Sequence, residues 1–146
     1  MAKNRTFKQS WREWFDISLW NMDKKQVIIS VMNAKIKSAR EIRKKLDDKI
    51  FEKNNLVINR IFSLDKQAYT DGALDRETKE LIGLCTSLVL HCDECVKYHL
   101  EQCYELKIST EKIMEALSIA NLVGGTIVIP HLRKAVEYWD ELDVNW

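Results

Sequence analysis

Apolar residues recur at helical spacing along most of the chain. The pattern is most regular between Asp23 and Lys53, where one helix face is apolar and much of the remainder is Lys and Arg. Asp23 suits the N-cap of this long helix, and a shorter helix is predicted before it, from about Phe7 to Trp20. The apolar positions of the long helix are Val27, Val31, Ala34, Ala39, Ile42, Leu46 and Ile50. No segment alternates like a strand, since the β-prone run at 127–129 is too short to build a sheet.

Capping and turn residues divide the rest of the chain into five further helices. Asn54–Asn55 is the predicted break after the long helix, and Asp75 is the predicted N-cap of the second of the five. Ser109 or Thr110 caps the fourth, which stops at Gly124–Gly125. Pro130 is expected near the start of the last helix or at a kink in it. The five helices are predicted over residues 56–69, 75–90, 92–106, 110–124 and 126–142, with a turn at Asp71-Gly72 after the first of them.

The segment before the cysteines is apolar nearly all round, and it is therefore predicted to be buried. Its apolar residues are Leu81, Ile82, Leu84, Leu88, Val89 and Leu90.

Composition agrees with an all-α fold. The 146 residues fit one domain, 46% of them are hydrophobic, and only four Gly and one Pro are present. We expect a single-domain helical bundle over 56–146, preceded by a helical extension over 1–55 that packs on it or builds an oligomer. The 23 basic and 22 acidic residues leave a charge of +1, which gives no electrostatic reason to expect a nucleic acid or an anionic membrane as partner.

The N-terminus lacks the apolar stretch of a signal peptide, and the apolar run Val27–Met32 is too short to span a bilayer. We therefore expect a cytoplasmic protein, in which stable disulfides are uncommon. Four cysteines in that setting, two of them in a C-x-x-C, indicate redox catalysis or metal binding rather than a structural disulfide.

The C-x-x-C pair, Cys92 and Cys95, carries the candidate chemistry. Two cysteines at i and i+3 on a helix have Cβ atoms roughly 5–6 Å apart, so a modest adjustment of the first turn would allow a disulfide. A thiol at a helix N-terminus has a lowered pKa, which favours the reactive thiolate. His99 follows Cys95 at i+4, on the same face, where it can act as a base. Asp93 and Glu94 suit the helix dipole but oppose thiolate formation.

Glu80 reaches this site only if the chain folds back. In one unbroken helix Glu80 would stand about 18 Å from Cys92. The sequence therefore predicts a break near Leu90 to Asp93, although no Gly or Pro marks it.

The pattern Glu80-x11-Cys92-x2-Cys95-x3-His99 resembles the active-site motif of alkyl hydroperoxidase D-like proteins, which belong to the wider carboxymuconolactone decarboxylase family. The flanking segments 72–82 and 109–117, with Gly124–Gly125 and His131 beyond them, look like those of the family. The resemblance covers about residues 57–142.

The resemblance implies a role for each residue of the motif. Cys95 would attack a peroxide and become a sulfenic acid, and Cys92 would donate a proton and close the Cys92–Cys95 disulfide. His99 and Glu80 would form a proton relay that deprotonates the attacking thiol. A lipoyl group or a thioredoxin-like protein would reduce the pair, which needs neither a bound cofactor nor a metal. Trimers or hexamers are implied as well.

One departure from the family concerns the residues between the cysteines. Better-studied peroxidase members carry a histidine there, whereas this chain has Asp93-Glu94 and places His91 before Cys92. The difference bears on the acidity of Cys95 and on the choice of electron donor.

Other interpretations of the same residues stay open. The cysteine pair could be inert core thiols, and Cys92, Cys95, His99 and Cys103 could be drawn as a zinc site, although a single helix fans such ligands poorly. Cys85 and Cys103 are expected to be structural. His91 is expected either to cap the preceding helix or to contact the site, and His131 either to be a satisfied structural histidine or to face the cleft. The alternatives to a peroxidase are a redox-sensing or metal-binding helical module and a decarboxylase-type lyase.

Overall fold

The computed structural model describes the backbone of residues 17–143 and the side chains of residue 24 and of residues 26–142. Within this part of the chain every regular element is helical, which confirms the all-α prediction. The α-helices are α1 (Ile17–Phe51), α2 (Leu56–Ala68), α3 (Arg76–Val89), α4 (Asp93–Glu105), α5 (Thr110–Gly124) and α6 (Ile129–Asp143), with a 3₁₀ turn at Thr126–Val128.

The N-terminal part differs from the prediction at Asp23. This residue lies inside α1 rather than at an N-cap. Ile17, the first residue whose backbone is described, is already part of α1. No Gly or Pro stands near Asp23, and an Asp inside a helix costs only a few tenths of a kcal/mol, so the helix continues through it. Residues 7–16 of the predicted first helix lie outside the described residues.

The chain divides into two compact units, residues 1–43 and 44–146. This division falls inside α1, and the predicted domain boundary between residues 55 and 56 stays a prediction.

Local capping explains where α2 and α3 begin. The side chain of Asn55 accepts hydrogen bonds from the backbone N–H groups of Val57 and Ile58, at 3.0 and 3.1 Å. Asp75 caps α3 in the same way through the N–H of Thr78, at 2.8 Å. Both predicted helix starts are confirmed.

The core of the second unit is formed by the last four helices. Helix α3 packs against α4 and α5, while α4 also packs against α6. Helix α2, by contrast, buries none of its side chains. The most deeply buried apolar side chains belong to α3, α4, α5 and the 3₁₀ turn, namely Leu84, Leu88, Leu100, Ile113, Leu117 and Val128.

The predicted break between α3 and α4 is confirmed and is made without glycine. His91 takes a left-handed conformation with φ 58°. Its N–H donates to the carbonyl of Leu88 at 3.1 Å, and the N–H of Cys92 donates to that of Ser87 at 3.0 Å. These two bonds form a Schellman motif, which ends α3 and reverses the chain toward α4.

The remaining turns follow the sequence closely. Ser109 is the N-cap of α5, and Gly125, with φ 75°, ends that helix. Pro130 is the second residue of α6, where its missing N–H removes no intrahelical bond.

The prediction that residues 81–90 are buried is correct only for one face of α3. Leu84 and Leu88 are fully buried, but Ile82 is 49% exposed and Leu90 is 77% exposed. The other helices cover a single face of α3, so apolar character all round does not bring all of its residues inside. None of the helices in the described part is long and apolar enough to cross a membrane.

Candidate active site

The two motif cysteines lie at the N-terminus of α4 and are joined by a disulfide, with Cα atoms 5.3 Å apart. Cys92 is the N-cap, and its sulfur accepts from the N–H of Cys95 at 3.4 Å. Cys95 is exposed, whereas Cys92 is half-buried. The helix N-terminus therefore directs its positive dipole end at this pair, and Cys95 is open to a reactant from solvent.

Glu80 of α3 and His99 of α4 form a buried pair, and His99 lies one helical turn beyond Cys95 in the chain. Oε2 of Glu80 lies 2.8 Å from Nδ1 of His99, and both side chains are buried. An ionised Glu80 accepts the hydrogen bond from Nδ1–H, which leaves Nε2 as the acceptor of the neutral ring. Arg76 adds a weaker ion pair, with Nε 3.7 Å from Oε1 of Glu80. The fold therefore holds the imidazole of His99 in one orientation, with Nδ1 facing Glu80.

Two tyrosines frame the imidazole of His99. The ring centroid of Tyr69 lies 5.5 Å from that of His99, and the ring of Tyr98 lies edge-on to His99 at 5.3 Å. Burial, followed by the negative charge of Glu80, raises the pKa of Tyr69 above its ordinary value. Gly83 leaves the space for this arrangement, because a Cβ there would lie 2.7 Å from Nε2 of His99 and 2.6 Å from the Tyr69 hydroxyl.

A cleft of about 410 Å³ opens beside this pair, and Glu80 and Tyr98 contribute to its wall. Its other lining residues are Asp65, Lys66, Tyr69, Thr70, Asp71 and Arg76. Tyr98 follows Cys95 at i+3, so the wall of the cleft lies one helical turn from the exposed cysteine. A small molecule bound there would contact Glu80 and Tyr98.

The residues next to Cys92 contact α6. Oδ1 of Asp93 lies 2.6 Å from Nδ1 of His131, and Oδ2 lies 2.6 Å from Nζ of Lys134. The ring of His91 stacks on that of His131, with centroids 4.7 Å apart. The hydrogen bonds from Lys134 and then from His131 hold the pKa of Asp93 below its ordinary value. His131 thus has a hydrogen-bond partner in Asp93. His91 ends α3, and its ring contacts His131.

The other two cysteines are structural in character. Cys85 donates a hydrogen bond to the carbonyl of Ala116 at 3.2 Å, and partial burial raises its pKa. Cys103 is fully buried. Burial, reinforced by the charges of Glu80 and Glu77, raises its pKa to about 12. Neither thiol forms a thiolate near neutral pH, so neither resembles a reactive cysteine.

The zinc site considered from the sequence has no geometric support. Among the residues whose side chains are described, no group of three or more His, Cys, Asp or Glu is placed to hold a metal ion. Cys103, its fourth candidate ligand, belongs to the core.

The four motif residues form two contacting pairs on α3, α4 and the turn between them, one a disulfide and the other a hydrogen-bonded pair. Their catalytic roles stay predictions. Sequence reasoning did not identify Tyr69, Arg76 or Lys134 as part of this region. Gly83 was the available signal, since a glycine inside an apolar helix marks a place of close approach.

The chain is similar in sequence to known bacterial proteins. Its sequence is 33% identical over 81 residues to an uncharacterized protein of the cox locus of Paracoccus denitrificans, covering 56% of this chain and 73% of that protein. A second uncharacterized relative, from Cupriavidus necator, is 33% identical over 78 residues, and the match covers 69% of that protein.

Solved structures give the same result. A Thermotoga maritima protein is 50% identical, with a TM-score of 0.69 over 70% of this chain and 90% of that one. A second structure of the same T. maritima protein has a TM-score of 0.68 at 50% identity, and it identifies that protein as a carboxymuconolactone decarboxylase family member for which a part in the antioxidative response has been suggested. It covers 70% of this chain and 87% of that one. A Legionella pneumophila protein of the same family is 26% identical, with a TM-score of 0.56 over 82% of this chain and 97% of that one.

The sequence profile of the carboxymuconolactone decarboxylase family matches residues 56–138, which is more than half of the chain and includes the whole Glu-Cys-Cys-His motif. This match confirms the resemblance noted from the motif. The chain belongs to the carboxymuconolactone decarboxylase family.

Proposed function

We propose that the protein is a thiol-dependent peroxidase that reduces hydroperoxides through Cys92 and Cys95. The observation that carries the proposal is the disulfide at the N-terminus of α4, with Cys95 exposed to solvent. The buried Glu80–His99 pair supports it, because a carboxylate that holds an imidazole in place is suited to general-base chemistry.

The first step oxidises Cys95. Its thiolate attacks one oxygen of the hydroperoxide, so that an S–O bond forms, the O–O bond breaks, and Cys95 becomes a sulfenic acid. The departing alkoxide takes a proton and leaves as an alcohol, or as water when the substrate is hydrogen peroxide. The peroxide gains the two electrons that Cys95 loses.

The second step closes the disulfide. The sulfur of Cys92 attacks that of Cys95, the S–S bond forms, and the S–O bond breaks. The released hydroxide takes the Cys92 proton and leaves as water. The sum is one hydroperoxide and two thiols converted into an alcohol, a water and a disulfide.

His99 and Glu80 would move the proton of the first step. Nε2 of His99 accepts the Cys95 proton through an intervening water and returns it to the alkoxide. Glu80 stabilises the imidazolium that forms in between, because its carboxylate lies against Nδ1. Positioned proton transfer of this kind contributes about 10²- to 10⁴-fold.

A dithiol donor would complete the cycle by thiol–disulfide exchange at Cys95. A lipoyl-bearing protein or a thioredoxin-like protein has the required chemistry, since each offers two thiols and becomes a disulfide. Such a donor is kept reduced in the cytoplasm, which is the compartment that we propose.

We also propose that the working form is a homo-oligomer, a trimer or a hexamer. Large apolar side chains of α5 and of the following turn are exposed in the single chain, and association would remove them from water. They are Ile119, Leu122, Val123 and Ile127.

The test is a stopped-flow titration of the reduced protein with a hydroperoxide, followed by mass mapping of the cysteines. We expect rapid loss of two thiols and a Cys92–Cys95 bond. Cys95→Ser should abolish the reaction, and Cys92→Ser should stop it at a sulfenic acid. Cys85→Ser serves as the matched control and should react like the parent protein.

Other outcomes separate the alternatives. A redox sensor would form the disulfide once but would not turn over when a dithiol donor is supplied. A decarboxylase-type lyase would keep its activity in the Cys92→Ser/Cys95→Ser protein. A peroxide reaction no faster than that of a free thiol at the same pH would overturn the proposal.

A further inference from the structure

Four side chains from the α3–α4 turn, α4 and α6 form a cluster around Cys92. They are His91, Asp93, His131 and Lys134, and we refer to them as the Asp93 cluster. The proposed peroxidase cycle uses none of them, although Asp93 stands between the two cysteines in the chain.

His131 contacts both neighbours of Cys92. Its ring stacks on His91 with an interplanar angle of 8°, and its Nδ1 lies 2.6 Å from Oδ1 of Asp93. One side chain of α6 therefore holds the residue before Cys92 and the residue after it. His91 takes a left-handed conformation at the end of α3, and its ring is in contact with His131 there.

The charge of Asp93 matters for the cysteines. A carboxylate in the first turn of α4 opposes formation of a nearby thiolate. Here both oxygens of that carboxylate are engaged from α6, one by His131 and one by Lys134, each at 2.6 Å. These contacts hold the carboxylate of Asp93 against α6 and offset its negative charge.

We infer that His131 is a positioning residue of the cysteine pair, and that it acts through Asp93. By holding and compensating this carboxylate, His131 keeps the Cys95 thiolate favourable near neutral pH. The inference rests on the proposed redox role of the pair but does not require that peroxide is the oxidant.

Other titratable groups lie on the same helices, and their effects on the pKa of Cys95 must be distinguished from that of His131. Glu94 lies between the cysteines and pairs with Lys97 at 2.8 Å. Glu80 and His99 form the buried pair on α3 and α4, and His91 and Lys134 belong to the Asp93 cluster itself. Glu94 provides the matched control, because it carries the same charge as Asp93 in the same turn but has no contact with His131 among those described.

The experiment measures the apparent pKa of Cys95 from the pH dependence of its alkylation by iodoacetamide, resolved by mass mapping of the reduced full-length protein. His131→Phe keeps a ring beside His91 and removes the hydrogen bond to Asp93. We expect it to raise the pKa of Cys95 by about half a unit, which corresponds to roughly threefold slower alkylation below that pKa. The same substitution should raise the pKa of Cys95 equally in a Glu94→Gln background. It should leave that pKa almost unchanged in an Asp93→Asn background.

His131→Asn guards against a trivial loss of folding. Its side-chain amide can donate from the position of Nδ1, so it should restore most of the lost alkylation rate. An unchanged pKa in His131→Phe, or a shift that persists in the Asp93→Asn background, would overturn the inference.

A glutathione redox titration of the parent protein distinguishes this failure from failure of the proposed function. A pair that does not open and close reversibly would overturn both. A reversible pair whose Cys95 pKa does not respond to His131→Phe would overturn only the role of His131.

Discussion

The carboxylate of Glu80 lies 2.8 Å from Nδ1 of His99, although the two residues are nineteen positions apart and belong to different helices. Glu80 is 1% exposed, so its carboxylate depends mainly on the side chains around it for hydrogen bonds and for charge balance. Burying a carboxylate is costly unless it is paired, which makes this contact structural as well as chemical.

Glu80→Gln should leave the fold intact and slow oxidation of Cys95 by a hydroperoxide by about 10²-fold or more. A glutamine can still contact Nδ1, but it cannot stabilise an imidazolium. The measurement is the second-order rate constant of thiol loss by stopped flow. Glu77→Gln is the matched control, since Glu77 lies on the same helix and pairs with Lys112 at the surface. An equal loss in both variants would contradict a special role for Glu80.

Gly83→Ala should destabilise the protein by about 1–3 kcal/mol, even though alanine is the better helix former. The added Cβ would lie 2.5 Å from Cε1 of His99 and 2.6 Å from the Tyr69 hydroxyl, so both rings must move. Urea unfolding of the reduced protein provides the free energy of unfolding, and the peroxide rate should fall with it because His99 is displaced. Gly72→Ala is the control, because its Cβ would meet nothing closer than Nζ of Lys79 at 3.7 Å. Equal stability of the parent and Gly83→Ala would show that the site can relax around the methyl group.

Cys103 should resist alkylation in the folded, reduced protein at pH 8, whereas Cys95 reacts. Its thiol is fully buried, and burial together with the charge of Glu80 raises its pKa to about 12. Mass mapping after iodoacetamide treatment, with and without urea, tests this expectation. Modification of Cys103 at the rate of Cys95 without denaturant would contradict the buried position.

The raised pKa of Cys103 also predicts an alkaline loss of stability. The folded thiol stays protonated up to a pKa of about 12, whereas the unfolded thiol ionises near its ordinary value of 9.0. The stabilisation of the folded state by this thiol is therefore fully present below pH 9 and is lost as the pH rises toward 12. The free energy of unfolding then falls with a limiting slope of about 1.4 kcal/mol per pH unit. Urea unfolding between pH 8 and 11 should show a steeper decline for the parent than for Cys103→Ala. Parallel curves for the two proteins would contradict it.

Asp93 should make the stability of the folded protein fall in acid rather than in alkali. Its pKa is held below its ordinary value of 3.8, chiefly by the hydrogen bonds from Lys134 and His131. A lowered pKa of a carboxyl group stabilises the folded state above 3.8, and this stabilisation is lost as the pH falls through the folded pKa. Acid unfolding followed by circular dichroism should therefore begin at a higher pH in Lys134→Met than in the parent protein. Lys66→Met, which lies on α2 outside the Asp93 cluster, is the control and should leave the acid transition unchanged.

Much of the helical architecture is determined by short-range sequence. Asn55, Asp75 and Ser109 cap helices because their side chains reach N–H groups two or three residues ahead, and Gly125 ends α5 because its backbone accepts a positive φ. These interactions involve neighbours in the chain, so they can be read before any packing is known. The motif of Glu80, Cys92, Cys95 and His99 is readable for the same reason, since its spacing is a property of the sequence.

Tertiary structure decided the features that depend on groups far apart in the chain. The break before Cys92 is made by His91 in a left-handed conformation, which packing against His131 supports and which no glycine signals. The contact of His131 with Asp93 joins residues 38 positions apart. Which apolar residues of α3 are buried depends on the helices that cover one face of it, so Leu88 is inside while Leu90 is exposed. Local hydrogen bonding selects the helices, whereas their mutual packing selects which side chains meet, and only the first of these is determined by neighbouring residues alone.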